Sequence, residues 1–345
     1  MTSPNFEDLG VRIGDVVAGR YRIEQCIGVG GMGAVVAAHH MQFGGKVALK
    51  IMLPKAARDK EAITRFSREA RAMFHLKSEH AAKVIEIGNL ANGAPFMVME
   101  YLEGTDLSTL LARHGAFPAI ESVGLILQAC EAIAEAHSLG IVHRDIKPQN
   151  LFVTKRVDGS EFVKVLDFGI SKVPLQSGEH MSLTHSSAVM GTPLYMSPEQ
   201  LAASVDADAH SDVWASGVVL DELLTGRVPY DAPSAPALYA KMLSFVPPTP
   251  TELNPDIDPD LSRVVMKCLA AEREERCPGV AELASMLEPF APSSMSGAGL
   301  RLRAVHDRST ERLSIPDAGP PALGALPTQI TWEGTETRVR KRTMA

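Results

Sequence analysis

The chain has 345 residues, 45% hydrophobic and 22% charged, with a formal charge of −7. That length supports one large or two smaller domains with an ample core, and the acidic balance argues against nucleic-acid binding, whose footprint is a basic patch. Four widely spaced cysteines, Cys26, Cys130, Cys268 and Cys277, include no C-x-x-C pair. Neither a zinc site nor a disulfide framework is expected, and a reducing compartment is.

Residues 1–19 are polar and glycine-bearing, without a basic-then-apolar leader pattern, and are expected to form a loose lead-in. No uncharged apolar run approaches the ~20 residues of a spanning helix, so a cytoplasmic protein without a transmembrane segment is expected. From Arg20 to Lys50 the pattern is strand-like: Tyr21-Arg22-Ile23 alternates, Val35-Val36-Ala37 follows a glycine cluster, and Val47-Ala48-Leu49-Lys50 closes the run. The cluster Gly28-Val29-Gly30-Gly31-Met32-Gly33 contains G-x-G-x-x-G, a weak signal that a dinucleotide site also uses before a helix. Here Val35-Val36 argues for a second strand, hence a hairpin whose glycines let backbone amides approach phosphates closely. A lysine on a buried strand is costly unless it meets an anion, and Lys50 lies 17 residues after Gly33.

Glu61 to Leu76 reads as a helix with Ile63, Phe66, Ala70, Met73 and Phe74 on one face. Val84 to Ile87 and Phe96 to Tyr101 read as strands. After Gly104 the chain turns helical: Val123, Ile126, Leu127, Cys130, Ile133, Ala134 and His137 recur at 3-4 spacing, an amphipathic helix of about five turns. Cys130 and His137 are expected on its core face rather than as ligands.

The helix leads to His143-Arg144-Asp145-Ile146-Lys147-Pro148-Gln149-Asn150, then Leu151-Phe152-Val153, a loop running into a short strand. Asp145 can accept a proton from a hydroxyl nucleophile, Lys147 can neutralise a phosphoryl oxygen, and Asn150 offers a neutral oxygen to a hard cation. Asp167, before Phe168-Gly169, supplies the anionic oxygen that Mg²⁺ demands. About thirty Ser-, Thr-, His- and Gly-rich residues then precede Pro198-Glu199, long enough to be functional or disordered. Ser211 to Gly217 starts another apolar helix, 233–255 read as Pro-rich loops around one short helix, and a last helix, Val280 to Leu287, ends the globular region before Pro289. Residues 291–345 lose apolar periodicity. Eight Lys or Arg against five Asp or Glu give this tail +3, leaving −10 on the rest. Its Arg338-Val339-Arg340-Lys341-Arg342 cluster reads as a solvated terminus, with docking to an acidic partner or membrane surface as the alternative.

The pattern H-R-D-x-K-P-x-N followed by D-F-G resembles the eukaryotic-type (Hanks-type) serine/threonine protein kinase family. Gly30-Gly31-Met32-Gly33 and Tyr195-Met196-Ser197-Pro198-Glu199-Gln200 look like its bacterial branch, and the resemblance covers residues 20–290. It implies an α+β, two-lobed protein kinase fold, with a small, mainly antiparallel β N-lobe (about 20–101) carrying one key helix. The larger C-lobe (about 102–290) is mainly α-helical, and a disordered basic tail (291–345) follows. The implied activity is transfer of the ATP γ-phosphoryl group to Ser or Thr hydroxyls of proteins, in signal transduction, with ATP and Mg²⁺ as cofactors.

By the same resemblance, Asp145 and Lys147 are catalytic and Asn150 and Asp167 hold the metal. The ATP site takes Ile27, Gly28, Val29, Gly30, Gly31, Met32, Gly33, Val35, Ala48, Lys50, Glu69, Met99, Glu100 and Leu102. Within it Glu69 pairs with Lys50, Met99 is the gatekeeper, and Glu100 and Leu102 offer backbone groups to adenine. Thr192 orients Asp145, Asp212 braces the catalytic loop, and Arg276 pairs with Glu199. Ser197 replaces the usual Ala, a mild change. Arg144 wants an anion, and a phosphate on Thr184 or Ser186 would supply it, added in trans through transient self-association. A scaffold without turnover typically loses Lys50, Asp145 or Asp167, all present here. A small-molecule kinase of this fold generally lacks Lys147-Pro148 and the segment from Gly191 to Glu199. A Walker-type NTPase is excluded because no G-x-x-x-x-G-K-[ST] occurs.

Overall fold

The chain is described from a computed structural model that defines residues 10–30, 33–168, 193–202 and 208–310. Of the residues singled out above, Gly31, Met32, Gly169, Thr184, Ser186, Gly191, Thr192 and the basic cluster at 338–342 lie outside them. β1 (Val16–Val17), β2 (Tyr21–Val29), β3 (Gly33–His40), β4 (Lys46–Met52), β5 (Val84–Asn89) and β6 (Pro95–Glu100) form one antiparallel sheet in the order β1-β2-β3-β4-β6-β5. Its register sets Lys50 between Val35 on β3 and Met97 on β6. The β2–β3 connection demands glycine on packing grounds: a Cβ on Gly33 would stand 2.7 Å from Ile51 O. The first nineteen residues are not wholly loose. Val16 and Val17 pair with β2, and Val11 and Val17 are buried in the sheet's own core.

α1 (Lys60–His75) starts where the Asp59 carboxylate accepts a hydrogen bond from Glu61 N–H at 2.9 Å. It buries Ala62, Phe66, Glu69, Ala70 and Met73. Phe74, expected on that face, is 56% exposed; at 100° per residue it falls about a quarter turn off the stripe's centre.

The second layer is helical. β7 (Gly104–Asp106), β8 (Leu151–Lys155) and β9 (Glu161–Val165) form a small sheet beside α2 (Leu107–His114) and α3 (Ala119–Ser138). Then come α4 (Pro198–Leu201), α5 (Ala209–Thr225), α6 (Ala235–Ser244), α7 (Pro250–Leu253), α8 (Pro259–Cys268), α9 (Val280–Leu287) and α10 (Ala298–Thr310). α3, expected to be amphipathic, is buried nearly all round: α5, α9, α10 and β9 pack on it, and Pro292 and Met295 close over Gly124. One apolar cluster runs from Ala48 and Met73 through Phe168 into α3 and α5, joining the lobes.

Two boundaries differ from the sequence reading. The stretch 233–255 holds two helices, α6 and α7, and α8 follows. Pro250 and Pro259 open α7 and α8 at the first turn, where the missing N–H is no loss. Beyond Pro289 the chain stays ordered through α10. Ala298 and Leu302 are buried, and the Glu288 carboxylate accepts hydrogen bonds from Gly297 and Gly299 N–H at 2.6 and 3.0 Å. The first twenty residues of the expected tail therefore belong to the C-lobe. Among the described residues no helix is long and apolar enough to cross a membrane.

Candidate active site

The site forms where the first sheet meets the helical layer. Lys50 Nζ on β4 lies 2.5 Å from Glu69 Oε1 on α1 and 2.8 Å from Asp167 Oδ1 beyond β9. Burial would push the Lys50 pKa down, but the Asp167 and Glu69 carboxylates more than reverse it, so the lysine holds its proton. The same burial pushes the Glu69 carboxyl up. We place the shared proton on Lys50, because it faces two carboxylates. Asp167 sits at φ +45°, a left-handed conformation that places its carboxylate, 43% exposed, at the sheet's end.

The His143–Asn150 loop supplies the opposite wall. Lys147 Nζ donates to Asp145 Oδ2 at 3.0 Å, and Asn150 Nδ2 donates to Asp145 O at 2.7 Å and to Oδ2 at 3.2 Å. The bonds through Nδ2 turn the amide oxygen of Asn150 the other way. His143, fully buried, has its ring centroid 4.6 Å from that of Phe168, with Nε2 3.0 Å from Leu166 O. Burial pushes its pKa down, so the imidazole is neutral. Arg144 takes φ +62°, and Gln200 Nε2 donates to its carbonyl at 3.0 Å.

That loop hangs from α5. Asp212 accepts His143 N–H and Arg144 N–H, each at 2.8 Å, and lies 2.7 Å from His137 Nε2 on α3. Burial alone would raise the Asp212 pKa, yet His137 and the other partners hold it below the usual carboxylate value. His137, read from sequence as a core-face residue, is thus part of the loop's support. Its helical spacing gave no sign of that, because its partner is 75 residues away.

Glu199 and Arg276 meet in a bidentate pair at 2.8 and 3.0 Å, with the guanidinium fully buried over the Trp214 ring. Ser197 is more than a small residue in a slot. Its hydroxyl caps α4 reciprocally with Gln200, and its Oγ lies 3.2 Å from Ser211 Oγ.

Above the site, Ile27 and Val29 are exposed along β2, Val35 is half-buried, and Ala48 and Met99 are buried. A Cβ on Gly28 would meet nothing within 4 Å, so there is open space beside that residue. Glu100 Oε1 takes Lys164 Nζ at 2.7 Å and Lys83 N–H at 2.8 Å, fixing the strand that leads to half-buried Leu102. Among the described residues no three His, Cys, Asp or Glu side chains cluster as a metal cage. Mg²⁺ held jointly with phosphates needs only one or two carboxylates, and the oxygens of Asp167 and Asn150 suit it.

A β-rich lobe with a lysine–glutamate pair, above a helical lobe presenting an Asp-Lys-Asn loop, defines the protein kinase class. The family description "Protein kinase domain" matches residues 21–286, and the chain belongs to that family. Serine/threonine-protein kinase pkn3 of Myxococcus xanthus is 38% identical over 278 residues, 80% of this chain and 50% of that protein. Serine/threonine-protein kinase PknB of Mycolicibacterium smegmatis is 35% identical, covering 81% of this chain and 45% of its own length. The crystal structure of the Mycobacterium tuberculosis PknI kinase domain superposes with a TM-score of 0.62 at 26% identity, over 81% of this chain and 100% of that domain. The relatives place the domain in the bacterial serine/threonine branch. The chain spans half or less of the curated relatives' length.

Proposed function

We propose that this chain is a serine/threonine protein kinase that transfers the γ-phosphoryl group of ATP to Ser or Thr hydroxyls of proteins. The observation that carries the reading is Lys50 held between Glu69 and Asp167, together with Asp145, Lys147 and Asn150 bonded into one cluster. In this reading Asp145 orients the attacking hydroxyl and takes its proton, and Lys147 neutralises charge on the migrating group. Lys50 fixes the ATP phosphates, with Glu69 holding it, while Met99, Glu100 and Leu102 line the adenine side. The glycine hairpin from Ile27 to Val35 covers the phosphates. Asp167 and Asn150 would hold Mg²⁺, which when bound offsets the negative charge of the phosphate oxygens. The transition state is loose and highly charged, so rate comes from positioning and charge neutralisation.

The test is label transfer from γ-labelled ATP with Mg²⁺, comparing the native chain with Asp145→Asn. Labelling on Ser or Thr by the native chain only is the expected result; ATP binding without transfer by either overturns it. Autophosphorylation at Thr184 or Ser186 follows as part of the proposal, because Arg144 precedes Asp145 and a phosphate would suit it. Asp145→Ala protein mixed with active enzyme should become labelled there; an unlabelled outcome rejects the trans reaction.

A further inference from the structure

The segment joining α1 to β5 is fastened to the C-lobe at both ends. Near its start, the Glu135 carboxylate of α3 accepts three main-chain hydrogen bonds. Lys77 N–H reaches Oε1 and Oε2 at 2.9 and 3.0 Å, and Ser78 N–H reaches Oε2 at 2.6 Å. Near its end, Val165 N–H donates to His80 O at 2.7 Å and Ala82 N–H to Val165 O at 3.0 Å. Lys77 and Ser78 directly follow Leu76, the C-cap of α1. Hydrogen bonds to a carboxylate are stronger than neutral ones, and three on one side chain fix the point from which α1 departs. Two residues further along α3, His137 contacts Asp212, which holds the amides of His143 and Arg144. One turn of α3 thus grips the exit of α1 through Glu135 and the Asp145 loop through His137 and Asp212.

We propose that Glu135 is a positioning residue for phosphoryl transfer: it ties the C-terminal end of α1 to α3, so that Glu69 stays in place to hold Lys50. The proposal rests on the kinase reading above. Glu135 does not touch the reacting atoms, so its influence passes through the placement of α1. Glutamine at this position keeps the volume and one acceptor oxygen but sets an N–H₂ group against the amides, and alanine removes both acceptors.

The experiment is a double-mutant cycle in the full chain. Glu135→Ala and Glu135→Gln are each measured alone and with Glu69→Gln, reading kcat, KM for ATP and Tm. Glu135→Ala should lower kcat/KM roughly 2- to 30-fold, with Glu135→Gln in between. In the Glu69→Gln background the same change should have less than about a twofold effect, because the route is already cut. Equal effects in both backgrounds, or no effect in the native one, overturn the proposal. If Glu135→Ala is recovered unfolded, the cycle is read from Glu135→Gln. Amide hydrogen exchange along Lys60–His75 supplies a readout independent of turnover: faster exchange in Glu135→Gln is expected, and unchanged exchange rejects the proposal. A native chain that transfers no phosphoryl group defeats the kinase reading instead, and the exchange measurement still decides whether Glu135 anchors α1.

Discussion

At the scale of single residues, charge is buried in two contrasting ways. Glu69 is buried beside Lys50, whereas Asp221 on α5 is 1% exposed and neither of its carboxylate oxygens has a hydrogen-bond partner among the described residues. Burial pushes the Asp221 pKa up to about 7, with Arg227 opposing and Glu222 reinforcing the shift. The folded state therefore keeps this proton to higher pH than the unfolded chain does. Its stability contribution falls as pH rises from about 4 to about 7 and stays low above that. Asp221→Asn should be more stable than the native chain at pH 8 by on the order of 1–3 kcal/mol, with the gap closing near pH 4. Urea midpoints at the two pH values check this, and an equal gap at both would refute it. Lys50→Met should abolish transfer and also destabilise the fold by on the order of 3 kcal/mol, since Glu69 would be left as a buried charge without its cation. Its urea midpoint and γ-label transfer check both parts. The Lys50–Glu69 pair was legible in sequence through the motifs around both residues. The burial of Asp221 was not, because it depends on what α5 packs against.

At the scale of elements, close packing sets the tolerances. A Cβ on Gly217 of α5 would lie 2.4 Å from Cys268 Cβ of α8, so Gly217→Ala must push the helices apart. A loss of about 1–3 kcal/mol is expected in a denaturant titration, despite alanine's better helix propensity. Leu302→Ala on α10 should lower stability by about 2–4 kcal/mol, since the side chain is 3% exposed; an unchanged Tm would mean α10 adds nothing to the C-lobe. Strands β2 to β6, α1, α3, α5 and α9 were readable because each carries enough apolar residues for a run or a spacing to emerge, even where, as in α3 and α5, they face several partners. α7 and α8 were hidden because proline serves as a helix opener as well as a loop marker. α10 was hidden because only Ala298 and Leu302 among its described side chains are buried, too few for a period to emerge.

At the scale of the whole molecule, the two lobes share one apolar cluster, and the site spans their junction. Ligand that binds only the folded state stabilises it by mass action, about 2.7 kcal/mol at a hundredfold excess over Kd. ATP with Mg²⁺ should raise Tm, EDTA should remove most of the rise, and Lys50→Met should blunt it; an equal rise in Lys50→Met would place the nucleotide elsewhere. The bilobal architecture was visible in sequence from motif order alone, whereas the outer limits of the domain were not, since β1 and α10 are held by contacts remote in sequence. From Ser211 to Asp221 every residue of α5 is buried, and the loop bearing Asp145 is suspended from that helix through Asp212. The chemistry is thereby insulated from the surface. Exterior side chains can drift, acquire new charge or reshape a groove without disturbing the suspension. Such an arrangement lets descent with modification redirect one reaction toward many recipients while the reaction itself is inherited unchanged.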